Sequence, residues 1–212
     1  MRGLLVKDMR MMMGQKKFFG LVVFMTIILN FSSNTGFVVY YVTFVCSFFA
    51  MNSIGYDEAD NGYPFLFSLP IDRSIYIREK YLFGIILSVI SWLAGMCVCF
   101  IFEAVKHTLS SFTENIVVIA AILPIMLIFN AIVFPLLFKF GSEKGRIVML
   151  CVFGMVFFMG YVLSKMMDPG NLFRIVSGCP TIVLGLSIVA VTLVVLAVSY
   201  TTSVVIMKKK EL

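Results

Sequence analysis

The segment Gly55 to Lys80, GYDEADNGYPFLFSLPIDRSIYIREK, lies between two long apolar runs and holds five of the chain's eleven acids (Asp57, Glu58, Asp60, Asp72 and Glu79) together with Arg73, Arg78 and Lys80. A charge at the centre of a bilayer costs about 2.5 to 3.5 kcal/mol, so residues 55–80 are expected outside hydrocarbon, as a solvated loop. The island is far longer than the roughly 4 to 6 residues that join most elements. Its acids, its aromatic residues and its prolines Pro64 and Pro70 mark a surface where another molecule docks.

What flanks the island decides the class of fold. With 61% apolar residues, 13% charged residues and a mean hydropathy of +1.04, the chain has the composition of a protein dissolved in lipid rather than of a soluble domain. Apolar runs cover residues 18–31, 37–54, 81–102, 116–138, 147–163 and 181–207. At about 20 residues per crossing, these predict an all-α integral membrane protein of six transmembrane helices forming one domain over 1–212. The first run is short for a hydrocarbon slab of about 30 Å, so it must thin the bilayer, borrow turns from the preceding helix, or pack against other helices with little lipid contact; the alternative is one re-entrant hairpin of both runs across the uncharged hinge Asn30 to Gly36.

Residues 1–17, MRGLLVKDMRMMMGQKK, place Leu5, Val6, Met9, Met12 and Met13 on one helical face and Lys7, Arg10, Gly14 and Lys17 on the other. That pattern predicts an amphipathic interfacial helix lying among headgroups. Orientation follows from the bases. Fourteen of the seventeen fall at Arg2, Lys7, Arg10, Lys16, Lys17, Arg73, Arg78, Lys80, Lys139, Lys144, Arg146 and Lys208 to Lys210; only Lys106, Lys165 and Arg174 fall on the other side. The rule that cytoplasmic loops collect Lys and Arg then sets both termini and the 55–80 island of a multi-pass protein in the cytoplasm. The net charge of +6 is a topology signal and calls for no nucleic-acid partner.

Chemistry of the enzymatic kind has little to work with. The cysteines Cys46, Cys97, Cys99, Cys151 and Cys179 have no CxxC spacing, and the single histidine, His107, has no metal-ligand or nucleophile partner around it. Neither Gly14-Gln15-Lys16 nor Gly141 to Lys144 fits the spacing of a phosphate-binding loop, so catalytic residues, cofactors and metals are expected to be absent from this chain. The fourth run carries Pro124, Asn130 and Pro135, where lost amide hydrogen bonds predict kinks, and a second polar island, Lys139 to Arg146, follows it on the same side as the first. Asp57, Glu58 and Asp60 suit the first turn of a short helix, where the dipole favours acids. Tyr63, Phe65 and Phe67 then offer an aromatic face for a partner's groove or, alternatively, an anchor at the membrane interface.

These stretches together resemble the permease subunit of type-2 ABC exporters, in the small bacterial six-span form. The resemblance is carried by the amphipathic start MRGLLVKDMRMMM, by Ser68 to Pro70 with Arg73 and Lys80 to Leu82, and by Phe138 to Gly141 with Glu143 and Lys144. It implies a cytoplasmic coupling helix between the second and third spans that inserts into a separate ABC ATPase subunit, which binds ATP and Mg. Tyr56, Asp57, Glu58, Asp60, Tyr63, Phe65, Phe67, Glu143 and Lys144 would do the coupling. It also implies a second permease copy, as a homodimer or with a related permease, and a path along the first, second and fifth spans. Aromatic or polar residues there are Phe24, Asn30, Tyr40, Tyr41, Phe44 and Phe153. Among relatives the chain looks most similar to exporters of amphipathic, cytolytic peptides such as phenol-soluble modulins. The competing reading is a stand-alone membrane peptide-immunity protein or small channel without an ATPase.

Overall fold

The computed structural model describes residues 2–32, 35–59, 62–68, 72–106, 115–166 and 181–210, and what it describes is helical. In chain order the helices are α1 (Arg2–Gly14), α2 (Lys16–Ser32), α3 (Thr35–Glu58), α4 (Gly62–Ser68), α5 (Arg73–Val105), α6 (Ile116–Met166) and α7 (Thr181–Lys209). Four stretches of them are long and apolar enough to cross a membrane: Gly36–Glu58, Arg73–Val105, Ile116–Gly141 and Gly185–Lys209. They contain the second, third and fourth predicted runs and all of the sixth beyond its first four residues. The first run lies in α2, which meets α1 at a bend of 66°. The fifth lies in the part of α6 beyond Gly141, where the backbone is helical to Met166 but most side chains, including those of Cys151 and Phe153, are outside the described residues. Asp60, His107 and the segment 167–180, with Arg174 and Cys179, are outside them as well, as is the side chain of Glu143.

The 55–80 island is not the loop its charges suggest. α3 runs on to Glu58, α4 occupies the middle, and α5 begins at Arg73. At about 1.5 Å per residue, the 33 residues of α5 extend roughly 50 Å, well past a hydrocarbon core of about 30 Å. The helix is therefore longer than one crossing requires. Part of the island's charge is paired inside the protein: Asp57 with Lys80 and with Lys7 of α1, and Lys80 with Asp8 of α1.

α3 is the central post, packed against α5 on one side and α6 on the other, while α6 also carries α7. The larger core joins Phe49, Ile54, Tyr76, Ile77, Phe134 and Phe138 at the basic end. A smaller one joins Val38, Val39, Cys99, Ile119, Ile122 and Met126 toward the other end. The outward faces of α2 (Phe24, Ile28, Phe31) and α7 (Leu186, Leu193, Val198) leave large apolar side chains uncovered, as lipid-facing helices do.

Within α6 the non-helical backbone angles fall at Gly141, with φ 79° and ψ 174°, rather than at Pro124 or Pro135. Only glycine visits that region without strain, and a Cβ at this position would stand 2.5 Å from Glu58 Oε1. α1 divides its expected apolar face. Leu4 and Asp8 are buried and Met12 packs on the core, whereas Val6, Met9 and Met13 point outward. The ridge Leu4–Asp8–Met12, at spacings of four, is what meets α3 and α5, because Asp8 finds its counter-charge there.

Candidate functional site

At the basic end, α1, α3 and α5 bury a knot of charge. The Lys80 ammonium donates to Asp8 Oδ2 at 2.5 Å, stands 2.7 Å from Asp57 Oδ2 and donates to Ser53 Oγ at 3.0 Å. Ser53 Oγ in turn donates to Asp8 Oδ2 at 3.2 Å, and the Tyr76 hydroxyl donates to Asp57 Oδ2 at 3.1 Å. Lys7 closes the knot by donating to Asp57 Oδ1 and lies 3.4 Å from Asp8 Oδ1. Two carboxylates and two ammonium groups balance, which is what lets Asp8 and Lys80 be 0% and 1% exposed: buried charges persist only when paired and hydrogen-bonded. Burial pulls the Lys7 ammonium down, but the hydrogen bond and charge of Asp57, with Asp8 behind them, outweigh it and hold Lys7 above the ordinary lysine value. Glu79 is also fully buried, 4.0 Å from Lys80, and among the described residues neither of its carboxyl oxygens has a hydrogen-bond partner.

Beside the knot, α4 lies on the bundle end through Tyr63 and Leu66. Tyr63 stacks on Phe67 with centroids 6.2 Å apart, and Tyr76 meets both rings edge-on. Arg73 stands 5.8 Å from the Phe67 ring and Lys210 4.9 Å from the Tyr63 ring. Burial, with the charge of Glu58 added, pushes the Tyr63 phenol well above its ordinary value. A Cβ on Gly62 would run into the Asp57 carbonyl, so the return from α3 into α4 admits no side chain there. Arg73 Nη1 also donates to the carbonyls of Met207, Lys208 and Lys210 at 3.1, 3.1 and 3.0 Å, capping the acceptors that a helix C-terminus leaves unsatisfied. Lys210 reaches Glu58 Oε1 and the Phe138 carbonyl, both at 3.5 Å. The two polar islands, the start of the chain and the end of α7 thus converge on one surface.

This arrangement corrects part of the sequence reading. Asp57 and Glu58 end α3 and do not begin a short helix; the first turn of α4 has no acid. Carboxylates at a helix C-terminus oppose the dipole, and Lys7, Lys80 and Lys210 offset that cost. Asp57 is 7% exposed and faces inward, and Tyr63 is buried with it. Phe65, by contrast, is 74% exposed and Tyr56 50%, the latter accepting a hydrogen bond from Gln15 Nε2 at 2.9 Å. Phe67 is half-buried and Lys144 exposed. Sequence reasoning missed Asp8, Ser53, Tyr76 and Lys80 as partners. The available signal was Asp8 itself, a lone acid among Leu and Met in register with Leu4 and Met12.

The residues expected along a path are only partly gathered in one chain. Tyr40 and Phe44 stack at 5.7 Å, and Phe44 meets Phe129 at 5.5 Å. Tyr41 packs on the larger core, Phe24 is on the outward face of α2, and Asn30 is buried with its amide donating to the Thr26 carbonyl at 3.0 Å. Deeper in the spans, Asn130 Nδ2 and Ser47 Oγ each come within 3.0 Å of Ser88 Oγ, and Tyr81 joins Ser203 at 2.8 Å. These polar contacts stitch α3, α5, α6 and α7 together. Among the described residues no three His, Cys, Asp or Glu side chains are grouped to hold a metal ion. A family model described as ABC-2 family transporter protein matches residues 3–208. No curated protein and no solved structure matches the chain.

Proposed function

The chain belongs to the ABC-2 transporter family, and from that membership we propose that it is the membrane permease of an ATP-driven exporter whose ATPase is a separate subunit. The family is a membrane component of ABC transporters, and this member is multi-pass. The docking element in this reading is α4, and the observation that carries it is the division of its aromatic side chains. Tyr63 and Leu66 fix the helix to the bundle while Phe65 is 74% exposed. An exposed aromatic on a rigid polar surface is the usual anchor of an interface. Tyr56, Glu58 and Lys144 are assigned to the same docking surface; Asp57 acts from inside, tying the end of α3 to α1 and α5 through Lys7 and Lys80. A push on α4 is then delivered to the start of a helix that crosses the membrane.

For cargo we propose an amphipathic peptide, moved between two copies of this chain. The support is that the spans hold aromatic and hydroxyl groups such as Tyr40, Phe44, Ser47 and Ser88 rather than the charged rings an ion pathway uses. The basic end of the bundle is assigned to the cytoplasm of the bacterial plasma membrane on the distribution of Lys and Arg.

The test is co-purification of the ATPase with Phe65→Ala permease in mild detergent. Loss of a central aromatic anchor worth about 2 kcal/mol weakens a complex roughly thirtyfold, so the ATPase should be lost while the amount of permease in the membrane is unchanged. Retention of the ATPase at the wild-type ratio, with export of a labelled amphipathic peptide undiminished, removes α4 from the coupling role.

A further inference from the structure

Between α2, α3 and α5, at the depth of the spans, runs an open cleft of about 450 Å³, within the roughly 300 to 1,000 Å³ of ligand sites. Its walls include Phe19 and Val23 of α2, Cys46 of α3 and Ile90, Ala94 and Val98 of α5. The two hydroxyls on its lining are already used: Thr26 donates to the Val22 carbonyl at 2.7 Å and Ser91 to the Ser88 carbonyl at 3.1 Å. Nothing in the cleft therefore asks for a polar ligand, and its occupant must be hydrocarbon along its whole length.

The two ends of the cleft differ in charge. Toward Phe102, the Lys106 ammonium is committed, donating to the Asn30 carbonyl at 2.7 Å and standing 5.4 Å from the Phe31 ring. At the end marked by Met12 and Phe19, Lys16 lies one helical turn before Phe19 on the same side of α2. Lys16 and Lys17 are exposed, and among the described residues neither forms an ion pair. The 66° bend between α1 and α2 places these two cations where an apolar groove meets the headgroup layer. Basic pockets between membrane helices hold anionic headgroups in this way.

We propose that this cleft seats one acyl chain of an anionic phospholipid whose phosphate lies against Lys16 and Lys17. The lipid fills the gap that α2 leaves against α3 and α5, and it fastens α2 to the bundle. The site is independent of α4 and of the ATPase.

The experiment uses the full chain reconstituted in vesicles of phosphatidylcholine with a minority of phosphatidylglycerol, re-extracted in mild detergent, washed, and weighed by native mass spectrometry. Wild type should keep one phospholipid per chain, enriched for phosphatidylglycerol on the order of tenfold over the bilayer ratio. Ala94→Trp fills the cleft from its exposed wall and should release the lipid; Val23→Trp does the same from α2, so that a folding defect in one variant leaves the other to decide. The Lys16→Gln, Lys17→Gln double variant should keep a lipid but lose the enrichment. Retention by both tryptophan variants, or an unchanged preference in the double glutamine variant, overturns the proposal. Displacement of the lipid by an amphipathic helical peptide would also overturn it, assigning the cleft to cargo instead.

Discussion

Lys80 is the residue on which the basic end depends, since it is the fully buried cation of the two that contact both aspartates. Replacing it with methionine keeps the length of the side chain but leaves Asp8 and Asp57 facing each other with only the partly exposed Lys7 between them. Removing one partner of a buried ion pair costs about 3 to 5 kcal/mol, so Lys80→Met should lower the thermal midpoint of the detergent-purified chain by many degrees. The added change Asp8→Asn should recover part of the loss. Glu79 predicts the opposite. It has no hydrogen-bond partner among the described residues and adds a fifth ionisable group to four that already balance. Glu79→Gln should therefore leave the midpoint unchanged or raise it, and a fall comparable to that of Lys80→Met would show that the carboxylate is needed. None of these pairings could be read from the sequence. Asp8 and Lys80 are 72 positions apart, and whether they meet depends on the rotation of two helices about their axes. Costing each charge singly against hydrocarbon made the island a loop; paired, the same charges allow it to be helix.

Among the elements, α6 shows how one glycine sets a direction. The φ of 79° at Gly141 lets the chain leave the stretch Ile116–Gly141 at a point where Glu58 fills the space a side chain would need. Gly141→Ala should destabilise the purified chain by about 1 to 3 kcal/mol from backbone strain alone, with the clash against Glu58 added to it. Combining it with Glu58→Ala should restore only the part owed to the clash, and full restoration would show that the backbone conformation carries no cost. The prolines were the legible feature in this stretch, and they lie within the helix without breaking it. Proline is tolerated in membrane helices where neighbours satisfy the freed carbonyls. The signal that mattered was the pair Gly141 and Gly145 in the polar island. Gly145 is buried against Leu137, so both glycines serve the close approach of the two limbs.

At the scale of the whole molecule, apolar runs and the clustering of bases were readable because both are sums over many residues and tolerate errors at any one of them. The positions of α3, α5, α6 and α7 follow the runs closely. The candidate docking surface was legible as a region, while the division of its side chains between inside and outside was not. Orientation gives a direct check. In a chain whose native cysteines are replaced, a cysteine at Phe65 or Lys144 should react with an impermeant thiol reagent only after the bacterial membrane is opened. Labelling of intact cells from outside would invert the topology and remove the ATPase from α4. The contacts of Arg73 have a further consequence, in time rather than space. Asp8, Asp57 and Lys80 have all been synthesised when less than half of the chain exists, so the charged knot is available to close early. The carbonyls that Arg73 holds come 134 to 137 positions later. A nascent chain thus carries an unfilled guanidinium at the root of α5 until α7 arrives, and the capture of that helix end ties the two helices together.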